Sequence, residues 1–247
     1  MNPFRLFFFF AFFMLSGLAI AQPQNDECLG AIQLDELNEW CSEVGAFNNI
    51  GATVSAETDP LCFPNTTDNL DVWFYFVATA NTLNINVRGA LQNNPGGTLP
   101  SPQLALYDGN CLSGLNEIDC FSDAFNNNFA EIFISNLLPG NIYYIRISAR
   151  AAATGNFQIC LNNFNQPPDP SGDCPTGVIL CDKNTFSVEY LVGGGTNPNE
   201  ILGASCINPL TCGAATETSS AWYKWTCDQS GSLTFVLTPN NPDDDLD

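Results

Sequence analysis

The chain is predicted to be all-β: an antiparallel β-sandwich module followed by an incomplete second β module. Three observations lead there. Short apolar runs of period two alternate with turn residues over residues 25–164, and no stretch sustains a helical period. The motif Asp71-Val72-Trp73-Phe74-Tyr75-Phe76 recurs in altered form as Ser220-Ala221-Trp222-Tyr223-Lys224-Trp225. The cysteines keep step with it. Cys28 lies 45 residues before Trp73 and Cys174 lies 48 before Trp222, while Cys62 and Cys212 precede their tryptophans by 11 and 10. With Cys28-Leu29-Gly30-Ala31-Ile32 matched by Cys174-Pro175-Thr176-Gly177-Val178, the repeat rests on three ordered landmarks.

Residues 1–21 carry one early positive charge at Arg5, an apolar run dominated by phenylalanine, and Ala19-Ile20-Ala21 before Gln22, the pattern of a cleaved secretory signal. The run is interrupted at Ser16-Gly17 and is too short to span a bilayer, so no membrane insertion is expected after cleavage. The first module then occupies residues 25–164. In residues 82–90 Leu83, Ile85 and Val87 share one face, and in residues 155–164 Phe157, Ile159 and Leu161 do the same. Ile132 and Ile134 repeat the pattern. Leu138-Pro139-Gly140-Asn141 places proline before glycine, as a type II turn requires, and leads into a strand over residues 142–148. Residues 165–172, with three prolines, form a stiff linker. The second module, residues 173–247, has only 25 residues after its Trp222 and reads as incomplete.

All eleven cysteines follow the signal and histidine is absent, which fits an oxidised extracytoplasmic framework and removes imidazole chemistry. The formal charge of −20, with only six Lys or Arg, excludes nucleic acid as a partner. In the first module the expected bridges are the local loop Cys111–Cys120, then Cys41–Cys62, and Cys28–Cys160 to join the first strand to the last. The second module holds five cysteines; Cys174 is expected to be the odd one, with Cys181, Cys206, Cys212 and Cys227 sharing two bridges.

The residues Asn25-Asp26-Glu27-Cys28, Asp71-Val72-Trp73-Phe74, Tyr107-Asp108-Gly109, Ile118-Asp119-Cys120 and Leu138-Pro139-Gly140 through Tyr143-Tyr144-Ile145-Arg146 cover most of the first module. On these it resembles the β-sandwich repeats of large secreted and cell-surface proteins of gliding, type IX-secreting bacteria. More distantly it is similar to pre-peptidase C-terminal domains and to jelly-roll, CUB-like sandwiches. Gly231 to Phe235 and the Asp-rich turn at Asp243 resemble a neighbouring repeat type of the same proteins. The resemblance implies a non-enzymatic module of an exported, adhesive or surface protein.

Candidate chemistry is sparse. Asp108, Asn110 and Asp123 lie in loops flanking the Cys111 to Cys120 segment, oxygen donors that suit calcium, and Asp71 is either a further ligand or a strand entry; no other cofactor is expected. Turn capping explains the same residues. Asp243, Asp244, Asp245 and Asp247 form a second acidic cluster. Trp73, Tyr75, Tyr143 and Tyr144 are candidate ligand contacts, since alternation sends part of each aromatic run to a sheet face where a sugar can stack. The expected function is a non-enzymatic binding or structural module of a secreted surface or adhesion protein, its partner an extracellular glycan or a surface protein. The alternative is an accessory module of a secreted hydrolase, a peptidase or polysaccharide-degrading enzyme, whose catalytic domain lies beyond residue 247.

Overall fold

The structure, a computed structural model, describes residues 22–64, 69–167, 170–180, 184–191, 193–197, 219–226, 230–232 and 234–243. The signal segment, Cys181, Cys206, Cys212, Cys227 and Asp244, Asp245 and Asp247 lie outside the described residues. The two bridges expected among Cys181, Cys206, Cys212 and Cys227 therefore lie there too.

Ten strands build the first module. They are β1 (Ile32–Gln33), β2 (Trp40–Cys41), β3 (Phe47–Asn48), β4 (Val72–Val77), β5 (Thr82–Arg88), β6 (Pro102–Asn110), β7 (Gly114–Ser122), β8 (Phe129–Ile134), β9 (Ile142–Ala149) and β10 (Asn156–Phe164). One sheet has the order β1-β4-β9-β6-β7 and the other β2-β10-β5-β8, with β3 also pairing β10. Every pairing in them is antiparallel except β1 with β4. The only helical elements described are 3-10 turns.

The period-two runs land as expected. Leu83, Ile85 and Val87 from β5 and Phe157, Ile159 and Leu161 from β10 meet Phe74, Phe76, Leu104, Leu106, Ile145 and Ile147 of the facing sheet in one core. The turn before β9 closes with Asn141 N–H donating to the Leu138 carbonyl at 3.1 Å, and Gly140 takes a φ of 92° that other residues resist. Tyr107-Asp108-Gly109, in contrast, is strand rather than turn. β6 continues through it after a bulge between Leu106 and Tyr107, and Gly109, at φ 100°, pairs with Leu115 across the hairpin.

The repeat has a structural echo. β11 (Val178–Ile179) pairs in parallel with β12 (Tyr223–Lys224), as Ile32 and Gln33 pair with Phe74 and Tyr75. Trp73 N–H donates to the Asn25 carbonyl and Trp222 N–H to that of Ser171; Leu34 N–H donates to Tyr75 and Leu180 N–H to Lys224. Both copies thus open with a 3-10 turn at their first cysteine and a short strand laid beside the Trp motif.

The disulfides of the first module differ from all three expected pairs. They are Cys28–Cys111, Cys41–Cys160 and Cys62–Cys120. Cys111–Cys120 is excluded by the hairpin itself: Cys111 sits in its turn, whereas Cys120 is six residues beyond Gly114 along β7, roughly 20 Å away at about 3.4 Å per residue. A disulfide spans no more than about 7 Å between Cα atoms. Cys28–Cys160 and Cys41–Cys62 fail because the sandwich stands between their members. Cys41 and Cys160 are register partners in the β2-β10 sheet, while Cys28 and Cys62 pack with Trp73, Ala105 and Tyr107 on the outer side of the other sheet. The first-to-last closure persists, carried by Cys41 in place of Cys28.

Candidate functional site

Alternation along β4 and β9 sends Trp73, Tyr75, Tyr144 and Arg146 to the outer face of the five-stranded sheet, and register sets Tyr75 opposite Tyr144 and Trp73 opposite Arg146. The two rows have different fates. The segment 53–63 crosses over the Trp73–Arg146 row and is tied to β7 by Cys62–Cys120. The Tyr75–Tyr144 row is left half-open.

Under the strap Arg146 and Trp73 are fully buried. Arg146 donates from Nε to Asp71 Oδ2 at 2.6 Å, from Nη1 to the Thr58 carbonyl at 3.1 Å and from Nη2 to Asp59 Oδ1 at 2.9 Å. Ser55 Oγ donates to Asp71 and accepts from Trp73 Nε1 at 2.8 Å. The Trp73 ring lies 5.4 Å from the guanidinium carbon, within cation–π reach. Burial pushes the Asp71 carboxyl up to about 6 against the opposing pull of Arg146 and Ser55. Burial opposes the Arg146 charge most strongly of any single influence, but Asp71 and Tyr107 together hold the guanidinium above its ordinary value. Burial raises the Tyr107 phenol to about 12, and Glu27 is raised by burial with Glu57 and Asp26 nearby. The network fastens the strap, with Arg146, Asp71, Ser55 and Trp73 all buried beneath it.

Asp71 sets a pH dependence. Its folded value of about 6 exceeds the ordinary 3.8, so the native state binds the extra proton between these values and stability rises as pH falls through that window. Relief of repulsion at a formal charge of −20 acts in the same direction. The melting temperature should be higher at pH 5 than at pH 7.5, with a smaller increment in Asp71→Asn. A midpoint that falls over this range, or an increment unchanged in the variant, would contradict the assignment.

The four oxygen donors expected to flank a calcium ion are not brought together. Asp71 is in the buried ion pair, and Asp108 Oδ1 accepts from Asn116 Nδ2 at 2.9 Å. Asp123 Oδ1 accepts from the Phe125 and Asn127 N–H groups and Oδ2 from Asn128 N–H, at 3.1, 3.1 and 2.7 Å. Asp108 and Asp123 lie at opposite ends of the β6–β7 hairpin, too far apart to share an ion with ligands at about 2.3–2.6 Å. Among the described residues no group of three His, Cys, Asp or Glu is placed to hold a metal.

Of the four aromatic candidates, two are corrected. Trp73 is 0% and Tyr143 4% exposed, so neither can be a surface contact. The strap covers the first, and the second is on the inner face, stacked on Phe76 and accepting the Leu138 N–H at Oη. Tyr75 and Tyr144 are side by side with ring centroids 6.0 Å apart, on the floor of an open groove of about 290 Å³. The Cys28–Cys111 bridge forms one side, and Leu29 and Leu112, 72% and 81% exposed, rise beside it. Tyr75 Oη donates to Gln33 Oε1 at 2.6 Å. Asn110, expected as a metal ligand, is instead at the groove, its Oδ1 accepting the Leu112 N–H at 2.8 Å. The sequence reading missed the two leucines and the role of Arg146, whose one signal was a cation in an otherwise apolar strand.

Residues 24–161 match the model of the type IX secretion-associated, galactose-binding domain-like family. The chain belongs to that family. The match spans nearly all of the galactose-binding-like sandwich, from just before the Asn25-Asp26-Glu27-Cys28 turn to Leu161 within β10. Among solved structures, the pre-peptidase C-terminal domain of a collagenase from Bacillus anthracis is similar at 15% identity over 53% of this chain and 94% of that one, with a TM-score of 0.31. No curated protein matches. Family and disulfides together are those of an extracellular or cell-surface accessory module. No helix among the described residues is long and apolar enough to cross a membrane.

Proposed function

We propose that the galactose-binding-like sandwich is a non-catalytic recognition module of a secreted surface protein, and that its Tyr75–Tyr144 groove binds an extracellular glycan. One observation carries the reading: two cross-strand tyrosines lie uncovered on the same sheet face whose neighbouring row is sealed by a disulfide-tied strap. Tyrosine offers a stacking face and a polar tip, and the groove is rigid because the Cys28–Cys111 bridge and the sheet both hold it. The family description supports a sugar over other partners.

A glycan array probed with the chain from residue 22 onward tests it. Binding should appear and should fall at least tenfold in Tyr75→Ala/Tyr144→Ala, with the urea midpoint shifted little because both side chains are half-exposed. Absence of any bound glycan, or binding that survives the double substitution, would overturn the proposal.

A further inference from the structure

We infer that the groove takes an N-acetylated hexosamine of an uncharged glycan, an inference that rests on the glycan reading above. Its lining contains no Asp, Glu, Lys or Arg, although the chain as a whole carries a formal charge of −20. Nothing in the groove would neutralise a uronate or sulfate, and the field of the whole chain repels one. A cationic sugar finds no carboxylate there to pair with. The ligand is therefore neutral.

Its size is small. A cavity of about 290 Å³ lies at the lower end of the small-molecule range of roughly 300–1,000 Å³, room for one ring resting on the tyrosine floor with its neighbours in the chain lying outside. A bare hexose would use the floor and leave the walls idle. Those walls are apolar: Leu29 and Leu112 stand 72% and 81% exposed, with Ala31 and Ile142 beside them. An acetamido methyl is the part of a sugar that such a wall matches, and burying one methyl is worth on the order of fourfold in affinity.

The acetamido group also needs a partner for its carbonyl. Asn110 is suited to that role, because its Oδ1 is already occupied by the Leu112 N–H, which fixes the amide and leaves Nδ2 as the donor. The same hydrogen bond ties the donor to the wall, since Leu112 is the residue that holds Asn110 in place. A stacking floor, an apolar wall and an oriented amide donor are the three complements of an N-acetylhexosamine ring, and a hexose lacking the acetamido group would leave two of them unused.

The test is calorimetric titration of the chain from residue 22 onward with trimers of N-acetylglucosamine, of glucosamine and of glucose, together with N-acetylgalactosamine and galactose. An acetylated sugar should bind at least tenfold tighter than its unacetylated counterparts. Asn110→Ala should reduce the acetylated ligand's affinity fivefold or more and Leu112→Asn twofold or more, each by a larger factor than it reduces that of the plain hexoses. Equal affinity for acetylated and plain sugars would overturn the inference while leaving the glycan reading intact. So would tightest binding by the glucosamine trimer with a steep salt dependence. Failure of every sugar here and on the array would remove the glycan reading beneath it.

Discussion

Arg146→Ala should destabilise the first module by about 3–5 kcal/mol, a large part of the roughly 5–15 kcal/mol that holds a domain folded. The side chain is fully buried and donates to Asp71, Asp59 and the Thr58 carbonyl at once. Its removal leaves the buried Asp71 carboxylate facing only Ser55, and also removes the strap's ties at Thr58 and Asp59. Arg146→Lys should recover little, because a single ammonium cannot reproduce a fork that reaches three acceptors. Arg146→Met combined with Asp71→Leu should recover much of the loss, since replacing both partners of a buried pair leaves no orphaned charge. Urea unfolding followed by far-ultraviolet circular dichroism measures all four proteins. A loss below about 1 kcal/mol for the alanine variant would mean the ion pair does not hold the strap.

The second large effect is expected at Cys41–Cys160, whose members are 119 residues apart. On the chain-entropy model a loop of that length contributes about 4.9 kcal/mol, against about 4.2 kcal/mol for the 58-residue separation of Cys62–Cys120. Cys41→Ala/Cys160→Ala should therefore lower the urea midpoint further than Cys62→Ala/Cys120→Ala. Peptide mapping of the unreduced protein should first recover Cys41 joined to Cys160. A peptide linking Cys111 to Cys120 would refute the hairpin geometry, and an equal or reversed order of midpoints would refute the loop-length account.

Strands were legible in the chain because a strand's side-chain period is two and its members are contiguous. The runs around Leu83, Phe157 and Ile145 needed no other information to be placed. The candidate site was half legible for the same reason. Alternation put Trp73 and Tyr75 on one face, but it is silent on what lies over that face. A strap from residues 53–63, outside the strand itself, buries Trp73 and spares Tyr75. Tyr143 and Tyr144 illustrate the limit further. Adjacent residues must point to opposite sides, yet only the neighbouring sheet decides that Tyr143 points inward.

By itself the sequence determined what is local or counted: the period-two strands, the Pro-Gly turn, the repeated Trp landmark, the oxidised cysteines and the strongly acidic charge. The repeated opening belongs here too, since both copies lay their first strand beside the Trp motif. Tertiary structure alone decided the disulfide partners, the burial of Asp71 with Arg146, and the dispersal of Asp108 and Asp123 to opposite ends of one hairpin. The physical reason is range. Backbone pattern acts between residues a few positions apart, whereas a bridge or ion pair forms between whichever groups the two packed sheets bring within a few ångströms, and sequence distance carries no record of that.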